Sequence, residues 1–136
     1  MPKRVQVPAV IRRDQSTAQP VARARDAAMA VLIGPSVGAE NFITRRFVIS
    51  PGGQIPEHRH DRIEHEQVIV RGKVLLRLDG REHVVGVGDA VFIPAGCAHA
   101  YENRGRGEAE FICVVPNTKD YETEWLEPAP PGAFAG

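Results

Sequence analysis

The sequence is short of several things, and each shortage closes off a class of protein. Of 136 residues only Cys97 and Cys113 are cysteine. Two are too few for a disulfide framework, and they form no Cys-x-x-Cys pair, so free thiols in a cytoplasmic setting are expected. There is no charge excess of either sign, with 17 acidic and 17 basic side chains. Without a basic surplus, nucleic acid is not an expected partner. Lys3, Arg4, Arg12, Arg13, Arg23 and Arg25 make the first quarter locally basic, a bias that reads as a solvated arm. No apolar run approaches the roughly 20 residues of a membrane span, so no membrane partner is expected. The opening Met-Pro-Lys-Arg-Val-Gln-Val-Pro has no apolar core of a secretion signal. Long helical patterns are absent too.

What remains is a series of short strands in one domain. Residues 1–26 read as an N-terminal arm, with Pro2, Pro8 and Pro20 confining Val5–Val7 and Val10-Ile11 to sheet edges at most. Ala27–Ile33 is ambiguous in period, but the Gly34-Pro35 stop and the strands beyond it favour a strand. Phe42–Ser50 is β-rich and ends at Pro51-Gly52-Gly53. Glu66–Val70, Lys73–Leu78, Glu82–Val87, Ala90–Ile93, Ala98–Asn103 and Glu108–Val115 follow, with Asp79-Gly80 a hairpin turn. Strands so closely spaced predict an antiparallel sandwich or barrel over residues 27–116. In residues 117–136, Asn117–Leu126 reads as a helical turn or an extended strap, and Pro128–Gly136 as a loose tail.

Four of the five histidines fall in two short segments: His58, His60 and His65 within 51–72, and His99 within 88–103. Imidazole is the commonest protein ligand for first-row transition metals. A spacing of two puts His58 and His60 on one face of a strand. His99 starts another strand after the Pro94-Ala95-Gly96 turn, and a barrel can bring such strand starts together at one mouth. His83, in Glu82-His83-Val84, reads as an exposed side chain without a metal role.

Gly52, five residues, His58-x-His60, then His65, six residues and Gly72 resembles the first motif of the cupin superfamily. Gly88, five residues, Pro94-x-Gly96, two residues, His99, three residues and Asn103 is similar to its second. The resemblance implies an all-β fold, a small double-stranded β-helix (jelly-roll-like) barrel, with one divalent metal at one end. The family's usual ligands are three histidines and a glutamate. Counting back six residues from Gly72 reaches His65, whereas the shorter spacing from His60 reaches Glu64. Register is stiff in a strand and loose in a loop, so His65 is preferred over Glu64 as the fourth ligand. The chain then resembles the small cupins with a four-histidine site. That subgroup favours Mn or Fe, with Cu, Ni and Zn admissible by ligand type.

Strand parity nominates the pocket. Tyr101 shares the face of His99, and Gln67 that of His65. Ile43, Arg45, Phe47 and Ile49 form the more apolar row of their strand, which makes Arg45 either an anion hook, or the partner of an internal carboxylate, or a sign that Arg46 is inside instead. The resemblance turns Phe111 and Cys113 inward. The expected function is a metal-dependent oxidoreductase, dioxygenase-like or C=C-cleaving, on a small organic substrate. A metal-dependent isomerase, lyase or decarboxylase and a non-catalytic binding module are the alternatives. A homodimer is expected, with Val68, Val70, Val84 and Val91 as candidates to cover its interface.

Overall fold

A computed structural model of the chain describes residues 6–136. Ten antiparallel strands form one curled sheet, and among the described residues there is no α-helix. The strands are β1 (Gln19–Pro20), β2 (Arg25–Ile33), β3 (Phe42–Arg59), β4 (His65–Arg71), β5 (Lys73–Leu78), β6 (Arg81–Gly86), β7 (Ala90–Ile93), β8 (His99–Glu102), β9 (Ala109–Pro116) and β10 (Glu124–Trp125). The order β6-β5-β8-β3-β9-β4-β7, with β2 and β10 also on β3, is the all-β jelly-roll expected from the strand pattern. No helix of the described residues is long and apolar enough to cross a membrane.

The main departure from the sequence reading is in β3. Pro51-Gly52-Gly53 was expected to end the strand, but β3 runs on for 18 residues. Its first half pairs with β2 and β9, and its second with β8 and β10. The corner is a bulge: on β2 the register jumps from Ala27↔Ile49 to Arg25↔Gln54. Pro51 is tolerated there because a bend leaves its missing N–H unneeded. Gly53 is required by close approach, since a Cβ would lie 2.6 Å from the Asp26 carbonyl oxygen.

Asn103 pins this corner. It is 1% exposed, and its side-chain amide donates to the carbonyls of Ile49 (2.8 Å) and Gly107 (2.9 Å). Its side-chain oxygen accepts from the Gly105 N–H at 2.9 Å, and its backbone pairs with Gly52 and Gly53. One residue thus ties Ile49, through its side chain, and the Gly52–Gly53 corner, through its backbone, to the β8–β9 loop.

A second bulge lies between Ile55 and His58 on β8. It switches the inward parity of β3 from odd to even residues. Arg45 and Ile49 are buried before it, and His58 and His60 after it. The core between the sheet faces is built from Ile49, Ile69, Val74, Leu76, Ile93, Phe111, Cys113 and Val115, each at most 2% exposed.

Elsewhere the ends differ from expectation. Val5, Lys3 and Arg4 lie outside the described residues, and Gln6, Val7, Val10 and Ile11 join no regular element. Asn117–Leu126 is an extended strap, not a helical turn, with Glu124 and Trp125 paired to Arg59 and His58. The tail is docked, not loose: Phe134 exchanges backbone hydrogen bonds with Arg23 (2.8 Å) and Ala24 (2.9 Å). Val91 faces the core, while Val68, Val70 and Val84 are exposed.

Asn103→Ala should destabilise the fold by about 3 kcal/mol, because it orphans buried backbone groups. Asn117→Ala, which removes one exposed hydrogen bond to the Glu40 carbonyl, should stay within about 0.5 kcal/mol. Denaturant unfolding of the two variants checks this; equal losses would remove Asn103 from its pinning role.

Candidate metal centre and its cavity

The two bulges of β3, the start of β4 and the start of β8 bring His58, His60, His65 and His99 to one end of the sheet interior. All four are buried, at 7%, 5%, 3% and 1% exposure. Ring centroids of His58 and His99 are 4.2 Å apart, and His65 sits 5.1 Å from both His60 and His99. The ligand nitrogens of His58, His60 and His99 all lie within 4.8 Å of one another. His65 is beside this trio but not within it.

Hydrogen bonding also separates His65 from the trio. The Nδ1 atoms of His58, His60 and His99 lie 2.7, 3.0 and 2.9 Å from the backbone carbonyls of Pro56, Glu122 and Cys97. A carbonyl oxygen only accepts, so each Nδ1 carries the proton and donates it, and each Nε2 keeps a free lone pair. The donor set fits a divalent ion. The Nδ1 of His65 is buried without any partner, so no hydrogen bond orients its ring. Glu64 is exposed and borders a shallow depression with Phe42 and Glu66, away from the histidines.

Burial, reinforced by neighbouring histidines, lowers the pKa of His58 from 6.5 to about 3 and that of His65 to about 2. Burial lowers His99 to about 4, and it moves His60 in the same direction. The imidazoles are therefore neutral at physiological pH, and protons do not compete for their lone pairs.

The histidines open into a cavity of about 280 Å³. Its walls include Met29, Phe47, Ile55, Tyr101, Tyr121 and Trp125, with Arg45, Gln67 and Thr123 the other polar groups near the histidines. Phe111 stacks against both Phe47 and Tyr101 with centroids 5.0 Å apart and stiffens that wall from behind. Gln67 donates to the Tyr101 oxygen at 2.7 Å and to Cys113 Sγ at 3.3 Å. Arg45 is inside, and Arg46 is outside against Glu110 at 3.1 Å. Burial raises the pKa of the Tyr101 phenol, so it stays protonated. His83 lies on the exposed side of β6. A larger depression of about 770 Å³, between the outer faces of β2 and β3 and the tail, contains no histidine.

Sequence reasoning named the strap as one of two alternatives but did not place its side chains at the histidines. Tyr121 lies 4.8 Å from His60 ring to ring, Trp125 lies 4.9 Å from His58, and Thr123 Oγ1 is 3.1 Å from His60 Nδ1. The signal was there: Tyr121, Thr123 and Trp125 alternate in a chain with only one Trp and two Tyr.

This barrel with clustered histidines is that of a cupin. The family model for the cupin domain matches residues 45–115, more than half of the chain, and the chain belongs to that family. Among solved structures it resembles the polyketide cyclase RemF from Streptomyces resistomycificus, with a TM-score of 0.79, 30% identity, and coverage of 93% of this chain and 87% of that one. It is 27% identical over 100 residues to the tetracenomycin polyketide synthase protein TcmJ of Streptomyces glaucescens, covering 74% of this chain and 67% of that protein. A cupin-2 domain protein from Rhodospirillum rubrum has a TM-score of 0.76 at 20% identity, covering 90% of this chain and 83% of that one, a likeness of fold alone.

The metal-free protein should lose stability as pH falls below 6.5. There the unfolded chain protonates its histidines while the folded site resists until about pH 4 or below, so the unfolded state binds more protons. Melting temperature measured between pH 7.5 and 4.5 after chelation should fall steadily; a flat profile would contradict the depressed values.

Proposed function

We propose that the chain is a metal-dependent cyclase that closes rings on a polyketone-like small molecule. The observation that carries this reading is three oriented imidazole lone pairs facing an aromatic-walled cavity. The 30% identity to a polyketide cyclase over nearly the whole chain supports it. His65 is proposed as the fourth ligand. It is buried beside the trio with a free ring, whereas Glu64 is exposed.

A divalent ion bound here would act as a Lewis acid on a ketone oxygen; Fe, Zn, Ni and Cu suit imidazole, and Mn enters through the resemblance to the four-histidine cupins. The chain's own residues would do the rest. Phe47, Tyr101 and Trp125 would hold a planar substrate folded and exclude water. Gln67 donates to the phenol oxygen, which leaves the Tyr101 O–H free to give its proton to a developing alkoxide. The enol carbon would bond to the ketone carbon as the carbonyl π bond opens, the alkoxide would take the Tyr101 proton, the enol O–H proton would return to the phenolate, and the new hydroxyl with a neighbouring C–H proton would leave as water while the ring becomes aromatic. No oxidant is consumed. Oxidative cleavage remains the second reading, because four neutral imidazoles leave the charge of a dication uncompensated and would favour an oxygen-derived anion as a further ligand.

One experiment separates these. A linear polyketone incubated with the purified protein should yield an aromatic product without dioxygen. Chelation should abolish turnover, His65→Ala should lower both metal content and rate at least tenfold, and Glu64→Ala should leave both unchanged. Dioxygen uptake equal to product would favour the oxidative reading, and metal loss only in Glu64→Ala would reverse the ligand assignment.

A homodimer is also proposed. Val68 (44% exposed), Val70 (47%) and Phe92 (57%) share the outer face of β4 and β7, with Ile112 and Val114 of β9 continuing the strip. Light scattering at micromolar concentration should give twice the chain mass, and Phe92→Glu should halve it. A monomeric wild type would end this proposal.

A further inference from the structure

Arg45 stands apart from the ion-pairing arginines of the chain. Arg46, Arg59, Arg71, Arg77 and Arg104 each lie within 3.3 Å of a glutamate oxygen. Among the described residues no ion pair includes Arg45, although it is only 8% exposed. Two of its five N–H groups are engaged, one with the Tyr121 oxygen at 3.1 Å and one with Cys113 Sγ at 3.2 Å, and Nε has no partner. None of the residues lining the cavity is acidic. Guanidinium does not lose its proton in proteins, so the charge persists inside. A buried charge without a counter-ion is costly, and proteins that keep one usually have a use for it.

The surroundings add to the imbalance. The histidines bring no negative charge, and any bound dication would add more positive charge. The guanidinium carbon lies 5.1 Å from the Phe47 ring centroid and 5.7 Å from that of Tyr121, so the charge is flanked by aromatic planes. Cation and flat apolar walls share one chamber.

We propose that the cavity selects an organic anion, a carboxylate on a planar apolar body, with the carboxylate paired to Arg45. This rests on the reading of the cavity as the substrate chamber, and it names the substrate's charge and shape. A carboxylate matches the guanidinium fork and supplies the missing counter-charge. Arg45 is then a specificity-determining residue. Tyr121, on the strap, would hold the fork in place at the mouth.

Trp125 provides the readout, because it is the chain's one tryptophan and lines the cavity. The probes are 2-naphthoate and 2-naphthamide, a matched anionic and neutral pair, titrated by tryptophan fluorescence into the full chain before and after metal removal. Naphthoate should bind at least tenfold tighter than naphthamide in both forms. Arg45→Gln should weaken naphthoate tenfold or more and leave naphthamide within twofold, and Arg45→Lys should recover part of the preference. Without ligand, Arg45→Gln should melt at a higher temperature than wild type, whereas loss of a merely structural arginine would lower it. Equal affinities for the two probes, or a preference intact in Arg45→Gln, would overturn the proposal. A preference seen only with metal present would place the anion on the metal and not on Arg45. A preference that survives metal removal in a protein that never needs metal for turnover would keep this proposal and end the metal-dependent one.

Discussion

The corner in β3 is the constraint from which the site follows. One strand must serve both halves of the curled sheet, and it turns between them at Gly52–Gly53 with Asn103 holding the bend. Because the strand is continuous, Arg45 on its first half and His58 and His60 on its second are fixed relative to one another by backbone pairing, not by a flexible loop. Such a frame suits metal and substrate groups, which must be held to fractions of an ångström. The bulge after Ile55 completes it. Without the extra residue, His58 and His60 would point outward, away from the core that Ile49 and Ile55 enter.

The candidate site is costly to the fold. Four imidazoles are stripped of water, His65 Nδ1 and Gln67 Oε1 lack hydrogen-bond partners, and a guanidinium lies inside without a carboxylate. Each would be a defect in a purely structural core. They gather around one cavity, while the buried Glu110 on the opposite face is satisfied by Arg13 and Arg46 at 3.1 Å each. Among the described residues, three of the four buried unpartnered side-chain atoms belong to Arg45, His65 and Gln67 around this chamber, and the fourth is Arg23 Nε, whose guanidinium lies over Trp125.

Much of this was legible in the sequence because strands have a rigid period. Lys73–Leu78 and Ala90–Ile93 fall where the alternation places them, and the Asp79-Gly80 turn joins β5 to β6. Tyr101 and Gln67 line the cavity with His99 and His65, as two-residue spacing requires. The failures occur where period breaks. Pro51-Gly52-Gly53 looks like a terminator, and only pairing with β2 and β8 reveals a bend within one strand. The tail is rich in Pro, Gly and Ala, a composition that signals looseness, yet the Arg23 and Ala24 backbone recruits Phe134. Neither β-bulges nor main-chain docking leave a side-chain pattern to read.

The strap shows why a motif alone underdescribes such a centre. His60 belongs to the first motif, but its tautomer is set by the Glu122 carbonyl and Thr123 Oγ1. Those atoms lie some sixty residues later in the chain. The same segment supplies Trp125 beside His58 and the Tyr121 oxygen that accepts from Arg45. The strap therefore couples three properties through one two-residue pairing of β10 with β3: ligand orientation, closure of the apolar wall, and placement of the internal cation. If it lifted, His60 would lose its orienting acceptors and Arg45 would lose one of its two partners together. The residues that close this end of the cavity are therefore those that set the state of the groups within it.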